Sequence, residues 1–294
     1  MSKIFGPVIT AMVTPMRSDF SIDIDQAQKL ANYLVENGSD TILVTGTTGE
    51  SPTLTDAEKL ALYTAVKQAV QGRAKVMAGT GSYNTQHSIE MSQAAAKAGV
   101  DGLLLVVPYY NKPPQEGLFQ HFKAIAQSVD LPCMIYNIPP RVVINMLPET
   151  FARLVEAVPN VVAVKEASQN LDQVAAIRRL TPPSFTIYSG DDGLTLPTLS
   201  VGGYGVVSVA AHLVGKEIQQ MVADFHAGRL QQAQAMYNRL GPVFKSLFIT
   251  TNPIPVKWAM SLVGLDSGPV RLPLIPLDDN QKEIVRKTWY DFCQ

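Results

Sequence analysis

Lys165 ends a run of apolar, mostly β-branched residues, Val161-Val162-Ala163-Val164, and Glu166 follows it. Such a run suits a strand packed on both faces. A lysine at the apolar end of that strand is poorly solvated, which disfavours its charged form and lowers its pKa. A neutral primary amine is what Schiff-base formation with a keto group requires. The plainer alternative is a lysine that snorkels from the strand end into water.

Three further groups have chemistry that fits such an amine. Gly46-Thr47-Thr48-Gly49 offers two hydroxyls and exposed backbone amides on a tight turn, a geometry that receives carboxylate or phosphate oxygens. An ordinary turn with a capping threonine is the alternative. Its glycine spacing matches neither a dinucleotide fingerprint nor a P-loop. Tyr136 ends another apolar run, where a phenol can carry a proton to and from a carbinolamine or merely pack. Arg141 suits a two-pronged grip on a carboxylate, or is a surface arginine. No metal site is expected, because His87, His121, His212 and His226 have no paired ligand spacing. Asp191-Asp192 reads as a helix cap rather than a cation site.

The elements that must position these groups alternate. Strands are expected over 8–13, 41–45, 75–79, 102–107, 132–137, 161–165, 185–189 and 205–209. Helices are expected over 24–36, 56–70, 86–98, 115–127, 148–157, 171–179 and 194–199. Thr55 with Glu58 has capping-box spacing, and Gly38, Gly72 and Gly99 stand where helices should stop. Eight strand–helix units predict an α/β fold, a (β/α)8 TIM barrel over residues 1–228, in preference to an open doubly wound sheet. Helices over 216–227, 230–248, 255–263 and 279–292 follow, the last three forming a C-terminal helical appendage, residues 229–294, behind the barrel. In such a barrel the chemistry sits at the C-terminal strand ends. That is where the threonine pair, Tyr136, Lys165 and Ser189-Gly190-Asp191-Asp192 fall.

Composition narrows the classes. The 294 residues are 46% hydrophobic and 17% charged with a net charge of −1, which gives no electrostatic footprint for nucleic acid or an anionic membrane surface. The apolar runs fall short of the ~20 residues of a membrane span. The stretch Met1-Ser2-Lys3-Ile4-Phe5-Gly6-Pro7 has no apolar leader core, so the cytoplasm is expected. Cys133 lies in an apolar strand pattern and reads as a small core residue rather than half of a disulfide with Cys293.

Four motifs carry a resemblance: Gly46-Thr47-Thr48-Gly49-Glu50-Ser51, Pro108-Tyr109-Tyr110-Asn111, Tyr136-Asn137-Ile138-Pro139 and Val164-Lys165-Glu166. In this order and spacing they resemble the dihydrodipicolinate synthase family, within the pyruvate-dependent class I aldolases that also include N-acetylneuraminate lyase. The likeness extends to Ser189-Gly190-Asp191-Asp192 and to Asn252-Pro253-Ile254-Pro255-Val256-Lys257. It implies a lyase that condenses pyruvate with L-aspartate 4-semialdehyde to 4-hydroxy-tetrahydrodipicolinate, in lysine and diaminopimelate biosynthesis. It implies that Lys165 forms the Schiff base, and that Thr48 holds the pyruvate carboxylate. Tyr136, Thr47 and Tyr110 would relay protons, Tyr110 reaching into a neighbouring subunit's site. Arg141 would bind the aldehyde substrate's carboxylate, while Gly190 and Val207 line the pyruvate pocket. No cofactor is implied beyond the covalent Schiff base, and the implied assembly is a homotetramer, a dimer of dimers. A sialic or keto-deoxy sugar acid aldolase, or a silent keto-acid-binding relative, are the alternatives.

Two departures stand out. Val142-Val143 replaces the family's usual Thr-Gly, and a β-branched valine resists the φ > 0 that glycine permits. A reshaped Arg141 loop is therefore expected. The second concerns a candidate effector region of Ser51, Lys59, Tyr83, His87 and Tyr109. Lysine-inhibited relatives carry Asn, Glu and His at the positions of Tyr83, His87 and Lys59. Losing a carboxylate and gaining a cation should repel a lysine ammonium, so weak or absent lysine inhibition is expected.

Overall fold

The computed structural model describes residues 4–294; the Met1-Ser2-Lys3 part of the stretch read above for a leader lies outside them. Eight parallel strands close into a barrel in chain order. They are β1 (Val8–Ala11), β2 (Thr41–Val44), β3 (Lys75–Gly79), β4 (Gly102–Val106), β5 (Cys133–Asn137), β6 (Val161–Glu166), β7 (Thr186–Ser189) and β8 (Gly205–Ser208). Closure comes from β1 pairing with β8, Ile9 opposite Val207. Several strands stop a residue or two short of the expected ends, because the chain there leaves the ladder to build the mouth.

Alternation along each strand divides the side chains between two apolar clusters. Ile9, Leu43, Met77, Leu104, Met134, Tyr136, Ala163, Tyr188 and Val207 fill the barrel interior. Their neighbours, among them Val8, Ile42, Val76, Leu103, Ile135, Val164 and Ile187, pack outward against the helices. On β6 the register shifts: Cys133 pairs with Val161 and Met134 with Ala163. Val162 is thus an extra residue, a bulge that sets the phase of the strand. With Ala163 inside and Val164 outside, Lys165 must point inward.

The outer ring comprises α1 (Ile24–Glu36), α2 (Asp56–Val70), α3 (Thr85–Lys97), α4 (Gln115–Gln127), α5 (Pro139–Val142), α6 (Pro148–Ala157), α7 (Leu171–Leu180), α8 (Thr195–Ser200) and α9 (Ala211–His226). The Thr55–Glu58 capping box forms at the start of α2. The four-residue α5, too short to show a periodicity, is an addition to the expected elements. Helix α9 begins five residues before the expected start, because non-helical Val214 (φ −127°, ψ 37°) breaks its pattern.

Helices α10 (Leu230–Ser246), α11 (Ile254–Ala259) and α12 (Asp279–Cys293) follow, and α10 packs on α9 and α12. The appendage does not lie wholly behind the barrel. Its 252–271 segment reaches the mouth, where Lys257 meets Glu50 at 2.6 Å in an ion pair with both side chains 1% exposed. The Arg271 amide donates to the other Glu50 oxygen at 2.8 Å, and its guanidinium bonds Glu58. A buried carboxylate needs such partners, and this one draws the C-terminal segment to the C-terminal ends of the strands.

Candidate active site

Lys165 lies at the C-terminal end of β6, opposite Tyr136 of β5 and Tyr188 of β7. It is buried. Its Nζ stands 4.1 Å from the centroid of the Tyr136 ring. Loss of solvation lowers its pKa to about 7; the nearby Asp192 carboxylate opposes the shift and the Arg141 guanidinium adds to it. The amine is therefore largely neutral just above neutrality, as a nucleophile toward a keto carbon must be. Snorkelling is excluded by that burial.

The structure gives Asp192 a role other than the expected cap. Asp191 performs the expected cap, accepting from the Gly193 amide at 2.9 Å. Asp192 is instead buried, accepting from the Ser208 hydroxyl and from the Val209 and Ala210 amides, both at 3.0 Å. It pins the end of β7 to the end of β8 and places a carboxylate near the amine. A second aspartate directly after a capping one was the available signal, since one cap needs one side chain.

Burial pushes the Tyr136 phenol up to about 12, while Arg141 and a hydrogen bond with the Thr47 side chain pull it down. The phenol thus holds its proton, and the Thr47 hydroxyl, which lines the same cavity as Tyr136, can pass one on. Thr47 and Thr48 lie on a turn closed by the Gly49 amide donating to the Gly46 carbonyl at 3.0 Å and the Glu50 amide to that of Thr47 at 3.1 Å. Glu50 takes a left-handed conformation, φ 56°. Thr48 is buried, and its Oγ1 accepts from Asn252 Nδ2 at 3.0 Å. Gly190 gives the amine its room: a Cβ there would come within 2.6 Å of Ala167 Cβ and 3.2 Å of Lys165 Cε. Val207 is buried in the interior layer just below.

Arg141 rides on α5, whose turn is closed by the Arg141 and Val142 amides donating to the Ile138 carbonyl and that of Val143 to the Pro139 carbonyl. Its Nη2 donates to the Asn252 carbonyl at 3.2 Å. Below it, Asn137 Nδ2 donates to Glu166 and to Asn145, its Oδ1 accepts from the Met146 amide, and Gln173 completes the network. Val143 nonetheless adopts φ +70° and ψ −29°, the sign of φ that a valine was expected to resist. The turn's three hydrogen bonds hold it there.

A profile of the dihydrodipicolinate synthetase family matches residues 4–290. The chain belongs to that family. A 4-hydroxy-tetrahydrodipicolinate synthase from Cyanothece sp. is 58% identical over 283 residues, 96% of each chain. One from Desulforudis audaxviator is 55% identical over 286 residues, 97% of each. Among solved structures, a dihydrodipicolinate synthase from Cyanidioschyzon merolae with lysine bound superposes with a TM-score of 0.98 at 50% identity, covering 99% of both chains. Another, from Bacillus anthracis, gives 0.95 at 49% identity, covering 97% of this chain and 98% of its own.

Against this dihydrodipicolinate synthetase background the expected residues divide into three groups. Lys165, Tyr136, Thr47 and Arg141 converge at the mouth, with Thr48, Gly190 and Val207 around them. Ser51, Lys59, Tyr83, His87 and Tyr109 line a cavity of about 570 Å³ that Thr47, Tyr136 and Arg141 also line, so the candidate effector region opens onto the barrel mouth. There Tyr83 packs edge-on against Tyr109 with 5.0 Å between centroids, and His87 Nε2 lies 3.5 Å from Asp56. Tyr110 stands apart: it is 91% exposed on the loop after β4, at φ 67°.

Proposed function

We propose that this chain condenses pyruvate with L-aspartate 4-semialdehyde, as a 4-hydroxy-tetrahydrodipicolinate synthase. The observation that carries the reading is a buried lysine amine, pKa about 7, 4.1 Å from the ring centroid of a phenol whose cavity Thr47 also lines. The Lys165 amine adds to C2 of pyruvate. Tyr136 and Thr47 move the protons that turn the carbinolamine hydroxyl into water. The iminium then loses a methyl proton to become an enamine. That carbon attacks the aldehyde of the second substrate, whose carboxylate Arg141 grips in bidentate fashion. The substrate's own amine closes on the imine carbon, and Lys165 leaves as a free amine. Pyruvate serves as its own electron sink through the covalent imine, so no cofactor is needed.

The Thr47 and Thr48 turn receives the pyruvate carboxylate, and Gly190 and Val207 shape the pocket floor. Tyr110, projecting into solvent, completes the proton relay in a neighbouring copy, which makes catalysis depend on a dimer; two such dimers form the homotetramer we propose. The reaction belongs to amino-acid biosynthesis in the cytoplasm; among the described residues no helix is long and apolar enough to cross a membrane. Ile138 and Val142 make part of the cavity wall apolar, which offers a polyhydroxylated sugar acid few partners. Lys59 and His87 line the effector half of the cavity. Although the Cyanidioschyzon merolae relative is described with lysine bound, the Lys59 side chain and the lack of a carboxylate at His87 disfavour a lysine ammonium here.

The test is a coupled assay: pyruvate and aspartate semialdehyde are supplied, and a reductase consumes the product with nicotinamide oxidation. Turnover that disappears in Lys165→Ala supports the reading. No turnover with intact protein rejects this pair of substrates.

A further inference from the structure

The Asn252–Lys257 stretch was singled out in the sequence, yet the reaction above gives it no part. Both its ends contact one turn. Asn252 Nδ2 donates to Thr48 Oγ1 at 3.0 Å, and Lys257 Nζ donates to Glu50 at 2.6 Å. The C-terminal segment therefore backs the Gly46–Ser51 turn at two points, more than 200 residues away in sequence. Asn252 is 7% exposed, and its own carbonyl receives Arg141. It thus touches the two groups that handle the two substrate carboxylates.

The direction of the Asn252–Thr48 bond has a chemical consequence. A threonine hydroxyl has one proton and two lone pairs. With the amide of Asn252 occupying a lone pair, the proton remains for another acceptor. A carboxylate is acceptor-only, so this arrangement turns Thr48 toward donating. The opposite amide orientation would make Asn252 the acceptor and consume the proton. It would also leave the amide NH2 buried without a partner, whereas the observed orientation leaves only Oδ1 so. Unsatisfied buried donors are rarer than under-satisfied acceptors.

We propose that Asn252 is a positioning residue that fixes Thr48 as the hydrogen-bond donor to the keto acid's carboxylate. The proposal rests on the reading that Thr48 holds that carboxylate. Asn252→Asp is the sharpest variant: it keeps the shape but replaces the donor by an acceptor, which captures the Thr48 proton and adds a negative charge. KM for pyruvate should rise at least ten-fold while kcat at saturating pyruvate changes less. KM for aspartate semialdehyde should stay within two-fold, since Arg141 uses the backbone carbonyl of residue 252, which the substitution retains.

Asn252→Ala alone and on a Thr48→Val background completes the test and stands in if the aspartate variant does not fold. The alanine should raise pyruvate KM about three-fold alone and not at all once the hydroxyl is gone. A pyruvate KM unchanged in a folded Asn252→Asp, or an alanine effect of equal size on the Thr48→Val background, overturns the proposal. If Thr48→Val itself leaves pyruvate KM unaltered while turnover persists, the carboxylate reading of Thr48 fails and the proposal with it.

Discussion

Replacing Val143 by glycine should stabilise the protein without changing its chemistry. Val143 sits at φ +70° and ψ −29°, outside the small left-handed basin that L-residues tolerate and worst for a β-branched side chain. Holding a residue there costs on the order of 1–3 kcal/mol. Glycine removes that strain but gives the unfolded chain more freedom, a loss of about 0.5–1 kcal/mol. The valine side chain is 68% exposed, so little burial is forfeited. The net gain is about 1 kcal/mol, a rise in Tm of roughly 2 °C for a chain of this size. Urea unfolding of Val143→Gly, with Val143→Ala as control, reads it directly. Alanine keeps the Cβ and most of the penalty, so it should not stabilise to the same extent. The α5 turn is closed by backbone hydrogen bonds that either residue can make, so KM for aspartate semialdehyde should not move. A glycine variant that is less stable than the parent, or an alanine variant that matches it, refutes the strain at this position.

Three other outcomes are expected. The rate of pyruvate capture should fall about ten-fold per pH unit below about 7, because the Lys165 amine is protonated there; a limb near the ordinary lysine value of 10.5 would contradict the burial argument. Lys257→Met should destabilise the fold by roughly 3 kcal/mol or more, since it leaves the Glu50 carboxylate buried without its cation, and a loss below about 1 kcal/mol in urea unfolding would show the pair to be dispensable. Lysine at millimolar concentration should barely slow turnover in the coupled assay; strong inhibition would show that Lys59 does not repel its ammonium.

How far the sequence could be read follows from the range of the interactions. The barrel was legible because each strand–helix unit is local: β-branched runs, the Thr55–Glu58 box and the stop glycines all act within a few residues. Lys165, Tyr136 and the threonine pair were legible because a polar residue at the end of an apolar run marks the mouth of such a barrel. The contacts that hold the site were not. Asn252 to Thr48, Lys257 to Glu50 and Arg271 to Glu58 each join residues more than 200 positions apart, and a pair of side chains at that separation leaves no periodicity. Burial of Asp192 depends on Ser208 and the start of α9, and its neighbour Asp191 behaves as a surface cap. The positive φ of Val143 runs against its intrinsic preference because backbone hydrogen bonds close α5, and no residue type announces those bonds.

Borohydride reduction in the presence of pyruvate tests the central claim most directly. A covalent adduct mapped by peptide mass spectrometry to Lys165, and missing in Lys165→Ala, is the expected result. No adduct, or one on Lys59 or Lys257, whose pKa values burial also lowers, would contradict the assignment of Lys165 as the Schiff-base lysine.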